Sequence, residues 1–90
     1  MKLQDAIFNW LQISIVSEAR PDDGAAKETM DFFETILRED HALSRFGYVC
    51  DEDVYRVDYE LDGQEKQLRY DRELAEQLLA DINSNPKYNE

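Results

Sequence analysis

The chain has 90 residues, 21 of them acidic and 10 basic, for a formal charge of −11 at pH 7. Its length suits one domain, and a 42% hydrophobic content with 11% aromatics is too apolar for a disordered acidic tail. The negative charge argues against a nucleic-acid binder, whose phosphates need Lys and Arg, and against a polybasic membrane binder; one cysteine, Cys50, excludes an internal disulfide framework and a Cys-rich zinc site.

Residues 2–13 read as a helix, with Leu3, Ala6, Ile7, Trp10, Leu11 and Ile13 on one face. Asp5 and Asn9 interrupt this segment, so it is not expected to be a signal peptide. Beyond Ile13 the phase breaks: Ser14 and Ser17 fall on the apolar face, while Phe8, Ile15 and Ala19 form a second stripe. A helix continuing to residues 17–19 therefore buries two faces, which makes it central to the fold or part of a homodimer contact.

Arg20-Pro21-Asp22-Asp23-Gly24 breaks the chain, because Pro21 cannot extend the preceding helix and suits the first position of the next. Residues 22–40 form the most strongly amphipathic helix. Ala25, Ala26, Met30, Phe32, Phe33, Ile36 and Leu37 share one face, and Lys27, Glu28, Asp31, Glu34, Arg38 and Glu39 cover the other. Residues 21–40 carry seven acidic and two basic groups, the densest charge in the chain. Lys27/Asp31 and Glu34/Arg38 stand at i,i+4, each pair contributing about 0.2–0.5 kcal/mol.

The period then changes to two. Phe46–Cys50 reads as a strand, joined through Asp51-Glu52-Asp53 to a second in which Tyr55, Val57, Tyr59 and Leu61 alternate with charged residues. Asp62-Gly63 is a hairpin signal. A two-residue turn pairs Leu61 with Gln64, Tyr59 with Lys66, Val57 with Leu68 and Tyr55 with Tyr70. That register sets Glu60 against Glu65 and Arg56 against Arg69, which is mildly unfavourable, but the hydrophobic term outweighs exposed charge pairs. Asp71 then caps a last helix with Leu74, Ala75, Leu78, Leu79 and Ile82 on its apolar face, closed by Asn83-Ser84-Asn85-Pro86.

The expected fold is one α+β domain over residues 1–90, ordered α-α-β-β-β-α. The helices pack on one face of a three-stranded antiparallel meander. The other face, with Arg56, Asp58, Glu60, Glu65, Gln67 and Arg69, is expected to be wet.

No motif carries chemistry. Asp58–Asp62 with Gly63 imitates the start of a calcium loop, but Arg69 stands where a bidentate Glu is needed and the flanks are strands. Transition-metal spacing is lacking, and His41 with Cys50 would make a dyad only if the fold joined them. Tyr48, Tyr55, Tyr59 and Tyr70 read as the amphipathic rim of the core rather than a ligand pocket. The expectation is a cytoplasmic, non-catalytic protein-interaction or regulatory module with no cofactor or metal. Its contact residues are taken as Phe8, Ile15 and Ala19 on the neutral first helix and Glu28, Asp31 and Glu34 on the acidic second. The partner is a protein or a second copy, not nucleic acid or membrane. A nucleic-acid mimic inhibiting a DNA- or RNA-binding protein is the alternative, weakened by basic groups among the acidic ones, and a small metal or Cys/His enzyme is the third reading.

Overall fold

The structure, a computed structural model, describes residues 1–84. The helices are α1 (Leu3–Ala19) and α2 (Gly24–Thr35), the latter continued by a wide π-helical turn over Ile36–Asp40. Three strands follow, β1 (Arg45–Cys50), β2 (Val54–Leu61) and β3 (Gln64–Asp71), then α3 (Arg72–Ala75) and α4 (Gln77–Ser84). The strands form one antiparallel sheet in the order β1-β2-β3, so the fold is α+β with the helices over the sheet. Among the described residues no helix is long and apolar enough to cross a membrane.

The β2–β3 register is the one that hydrophobic alternation dictates: Tyr55↔Tyr70, Val57↔Leu68, Tyr59↔Lys66 and Leu61↔Gln64. Asp62 (φ 54°) and Gly63 (φ 79°) are both left-handed, as a two-residue hairpin turn matching strand twist requires. The like-charge pairs Arg56↔Arg69 and Glu60↔Glu65 are present, and neighbours relieve them. Arg45 on β1 pairs with Glu65 and lies 3.8 Å from Glu60, and Arg56 lies 3.3 Å from Asp58. The outer face is polar as expected. Glu65, Gln67 and Arg69 are exposed, while Arg56, Asp58 and Glu60 on the central strand are half-buried.

α1 runs to Ala19 and is the central element. Ala6, Ile7, Trp10, Leu11 and Ile15 join Tyr55, Val57 and Tyr59 of β2 in the main core. Ile13 and Val16 join Ala26 in a second cluster against Met30, Phe33, Leu78, Leu79 and Ile82. The helix thus buries two faces inside one chain, which is why its apolar pattern loses a single phase. Ser14 is carried inside with it, 5% exposed, and its hydroxyl finds no partner among the described residues.

Three local readings are corrected. Pro21 and Asp22 form a turn, and Asp23 is the cap of α2, accepting from the Ala26 amide at 3.1 Å; a carboxylate that satisfies an orphan amide outcompetes a proline at the first position. The last helix is divided at Glu76 into α3 and α4. On α2, Ala25 and Phe32 do not share the buried face, because Ala26, Met30, Phe33 and Leu37 already fill the inward stripe at spacings of four, three and four.

The α2 extension ends where His41 donates its amide to the Ile36 carbonyl at 3.2 Å and Leu43 donates to Leu37 at 3.0 Å. Ala42 between them is left-handed (φ 55°). This reversal delivers Leu43, 4% exposed, into the core.

Candidate functional site

α2 presents the acidic face. Asp23 caps the helix and lies 3.3 Å from the Arg20 guanidinium, which anchors its start. Thr29 and Thr35 turn their hydroxyls back to the carbonyls of Ala25 and Asp31, each at 3.0 Å. Between them Phe32 stands 60% exposed, edge-on to Phe33 at 5.3 Å. Glu28, one turn before Phe32, and the adjacent Asp31 are both exposed. The result is an uncovered aromatic ring among carboxylates, an arrangement that offers apolar area and negative potential together.

Glu34, expected on the contact surface, is engaged within the fold. It is half-buried, accepts from the Trp10 indole N–H at 3.2 Å and lies 3.7 Å from Arg38. The Lys27–Asp31 ion pair suggested by their spacing does not form among the described residues.

The second stripe of α1 is not one surface. Ile15 is 6% exposed and belongs to the core, which removes it from any contact face. Phe8 is half-buried against Tyr70, ring centroids 5.2 Å apart. It lines an open hollow of about 320 Å³ with Asp5, Leu68, Tyr70 and Leu74. Ala19 is exposed at the far end of the helix. The stripe dissolves because α1 packs against the sheet along one side and against α2 and α4 along another.

Cys50 lies on a separate cleft of about 510 Å³, lined in part by Glu18, Tyr48, Tyr55, Arg72 and Glu76. Tyr48 donates to Glu18 at 2.7 Å and Tyr55 to Glu76 at 2.6 Å, while Arg72 lies 3.2 Å from Glu76. Burial first, then the hydrogen bond to a carboxylate, pushes both phenols above their ordinary titration range. Every one of these polar groups already has a partner within the cleft. The exposed Cys50 thiol donates to the Asp51 carbonyl at 3.3 Å.

His41 is not part of that cleft. Cys50 opposes Tyr55 at one end of the β1–β2 ladder, and Ser44, three residues after His41, bonds to Glu60 at the other. Six residue steps separate Ser44 from Cys50, roughly 20 Å, so no Cys50–His41 dyad forms. The acidic Asp58–Asp62 run is strand and turn, and among the described residues no cluster of His, Cys, Asp or Glu is arranged to hold a metal ion.

Two contacts here had no signal in the sequence. Trp10–Glu34 and Tyr55–Glu76 each join residues more than 20 positions apart, beyond the reach of any periodicity. Exposure of Phe32 was accessible through finer phase accounting, since it stands 100° from Phe33 on the helical wheel. The chain matches no protein-family model, no curated protein and no solved structure.

Proposed function

We propose that this chain is a non-catalytic protein-interaction module of the cell interior that docks through the outer face of α2. Phe32 is the anchor, and Glu28 and Asp31 supply the charge. The partner is a protein surface with an apolar pocket ringed by Lys or Arg. The observation that carries this reading is the 60% exposure of Phe32 on a helix whose other exposed residues are Gly24, Ala25 and the polar or charged Lys27, Glu28, Thr29, Asp31 and Thr35. A large aromatic left open costs solubility, and partially exposed aromatics surrounded by polar groups are typical interface anchors.

The test uses an array of basic amphipathic peptides presented to the intact protein. Binding is expected at low salt, to weaken steeply as salt rises, and to be lost on Phe32→Ala and on the double change Glu28→Lys/Asp31→Lys. Peptide binding that ignores all three changes would overturn the assignment of this face.

A further inference from the structure

The sheet has two edges, and they differ. The β3 edge carries Glu65, Lys66, Arg69 and Asp71, while β1 between Arg45 and Asp51 carries Phe46, Gly47, Tyr48, Val49 and Cys50, with no charge. Charged side chains are the usual protection of an exposed edge, and β1 lacks them over five residues. The Asp51 amide donates to the Val54 carbonyl at 2.8 Å, which sets the phase of the ladder. Arg45, Gly47, Val49 and Asp51 turn their main-chain groups to β2, and Phe46, Tyr48 and Cys50 turn theirs outward. Among the described residues those outward groups have no main-chain partner.

We infer that β1 is a self-pairing edge: a second copy of this chain adds its own β1 antiparallel, joining two three-stranded sheets into one of six strands. This surface is distinct from the α2 face and does not depend on it. The choice of a second copy rests on self-complementarity. Only Phe46, Tyr48 and Cys50 can bond across the new seam, and full overlap of the strand then centres it on Tyr48. That one register sets Phe46 against the second copy's Cys50 and gives six main-chain hydrogen bonds. It places Arg45 opposite the second copy's Asp51, twice by symmetry, which is an attractive cross-strand pair. It also sets Val49 opposite the second copy's Gly47.

Those last two residues fit each other. Val49 is 43% exposed, and the place where a side chain on Gly47 would begin is open, with nothing within 4 Å. Both line an open hollow of about 690 Å³ on the outer face of the sheet, with Arg45, Asp58 and Gln67. Each protruding valine meets the bare glycine of the other copy. Sliding the register by two residues keeps the hydrogen-bonding phase but shortens the overlap and separates Arg45 from Asp51.

The test is molar mass by light scattering over a concentration series to millimolar, with amide exchange on the same samples. The mass is expected to rise from 10.6 kDa toward twice that value. The amides of Phe46, Tyr48 and Cys50 gain protection with concentration while those of Glu65, Gln67 and Arg69 on the other edge do not. Val49→Lys, at an exposed position, is expected to halve the mass again with an unchanged circular dichroism spectrum. Arg45→Asp and Asp51→Arg each set like charges across the seam and stay monomeric alone, and an equal mixture of the two regains the dimer. A mass of one chain at every concentration overturns the inference. So does a dimer that survives Val49→Lys without concentration-dependent protection at Phe46, Tyr48 and Cys50, since it is joined elsewhere.

Discussion

Phe32 on α2 and Leu37 in the π-helical turn that continues it are both large and apolar, yet their exposures are 60% and 0%. Their truncations should therefore differ sharply. Leu37→Ala removes a fully enclosed side chain from the main core, beside Trp10, Leu11 and Leu43. Such truncations cost about 2–5 kcal/mol, the upper end when the neighbours cannot collapse into the space. For Phe32→Ala only about two-fifths of the ring is covered, and full burial of a phenylalanine is worth about 1.5–3 kcal/mol, so the transfer loss is about 1 kcal/mol. Loss of the edge-on contact with Phe33 at 5.3 Å adds at least about 0.5 kcal/mol, and the better helix propensity of alanine returns a similar amount. The net cost is about 1 kcal/mol. Urea unfolding of the two variants measures both numbers, and thermal unfolding should separate them clearly, since about 1 kcal/mol moves the midpoint of a domain this size by about 4–8 °C. A Phe32→Ala cost equal to that of Leu37→Ala would show the ring to be packed within the fold, and the α2 face would lose its anchor.

Three further outcomes follow from local features. Ser14→Ala should stabilise the protein by about 0.5–1 kcal/mol in urea unfolding, because it removes a buried hydroxyl without a partner and improves helix propensity; destabilisation would mean that the hydroxyl is satisfied. Ala42→Gly should stabilise by about 0.5–1 kcal/mol, since only the β-carbon opposes the left-handed turn at φ 55°, and an unchanged midpoint in the same assay would contradict the strain. The contribution of Tyr48 and Tyr55 to stability should be level in pH up to about 10, the ordinary phenol value, and decline above it. Tyr55 and Tyr48 titrate higher in the folded chain than unfolded, so their contribution is complete below the unfolded value and is lost as pH rises toward the folded one. Tyr48→Phe/Tyr55→Phe should flatten the decline, and an identical alkaline slope in the double variant would assign it to other groups.

The sheet was readable from the sequence because its determinants are local. Alternation from Tyr55 to Leu61 and the Asp62-Gly63 turn leave one register that keeps Val57 and Tyr59 inward. That term is large enough to tolerate Arg56 facing Arg69. The unforeseen part was Arg45, which extends β1 by a residue and joins Glu60 to Glu65. The helices were legible as segments but less so as surfaces. α1 packs against the sheet and against α2 and α4, so its second stripe mixes the core residue Ile15 with the half-buried Phe8 and the exposed Ala19. Periodicity reports that a side chain is apolar; it does not report how many neighbours a helix has. The acceptor role of Glu34 for Trp10 and of Glu76 for Tyr55 depends on tertiary placement, and a carboxylate in a chain with 21 of them gives no hint of such a role.

The charge of −11 also takes a different meaning once the ion pairs are placed. Arg20, Arg38, Arg45, Arg56 and Arg72 each lie within 4 Å of a carboxylate in the folded chain. Exposed pairs of this kind add little stability, but they decide where positive charge resides: against Asp23, Glu34, Glu60, Glu65, Asp58 and Glu76. Glu28 and Asp31, the exposed carboxylates one turn and one residue before Phe32, make no ion pair among the described residues. Five of the nine basic side chains among residues 1–84 are thus held at carboxylates elsewhere, and Glu28 and Asp31 supply negative charge beside Phe32 with Lys27 on the same helix. Negative charge of this kind raises encounter rates with cationic surfaces, an effect that falls steeply with ionic strength, whereas the apolar area of an anchor such as Phe32 acts at contact range and survives salt. Binding through this face should thus divide into a salt-sensitive association rate set by Glu28 and Asp31 and a salt-insensitive dissociation rate set by Phe32. Charge reversal should slow arrival, and removal of the ring should hasten departure.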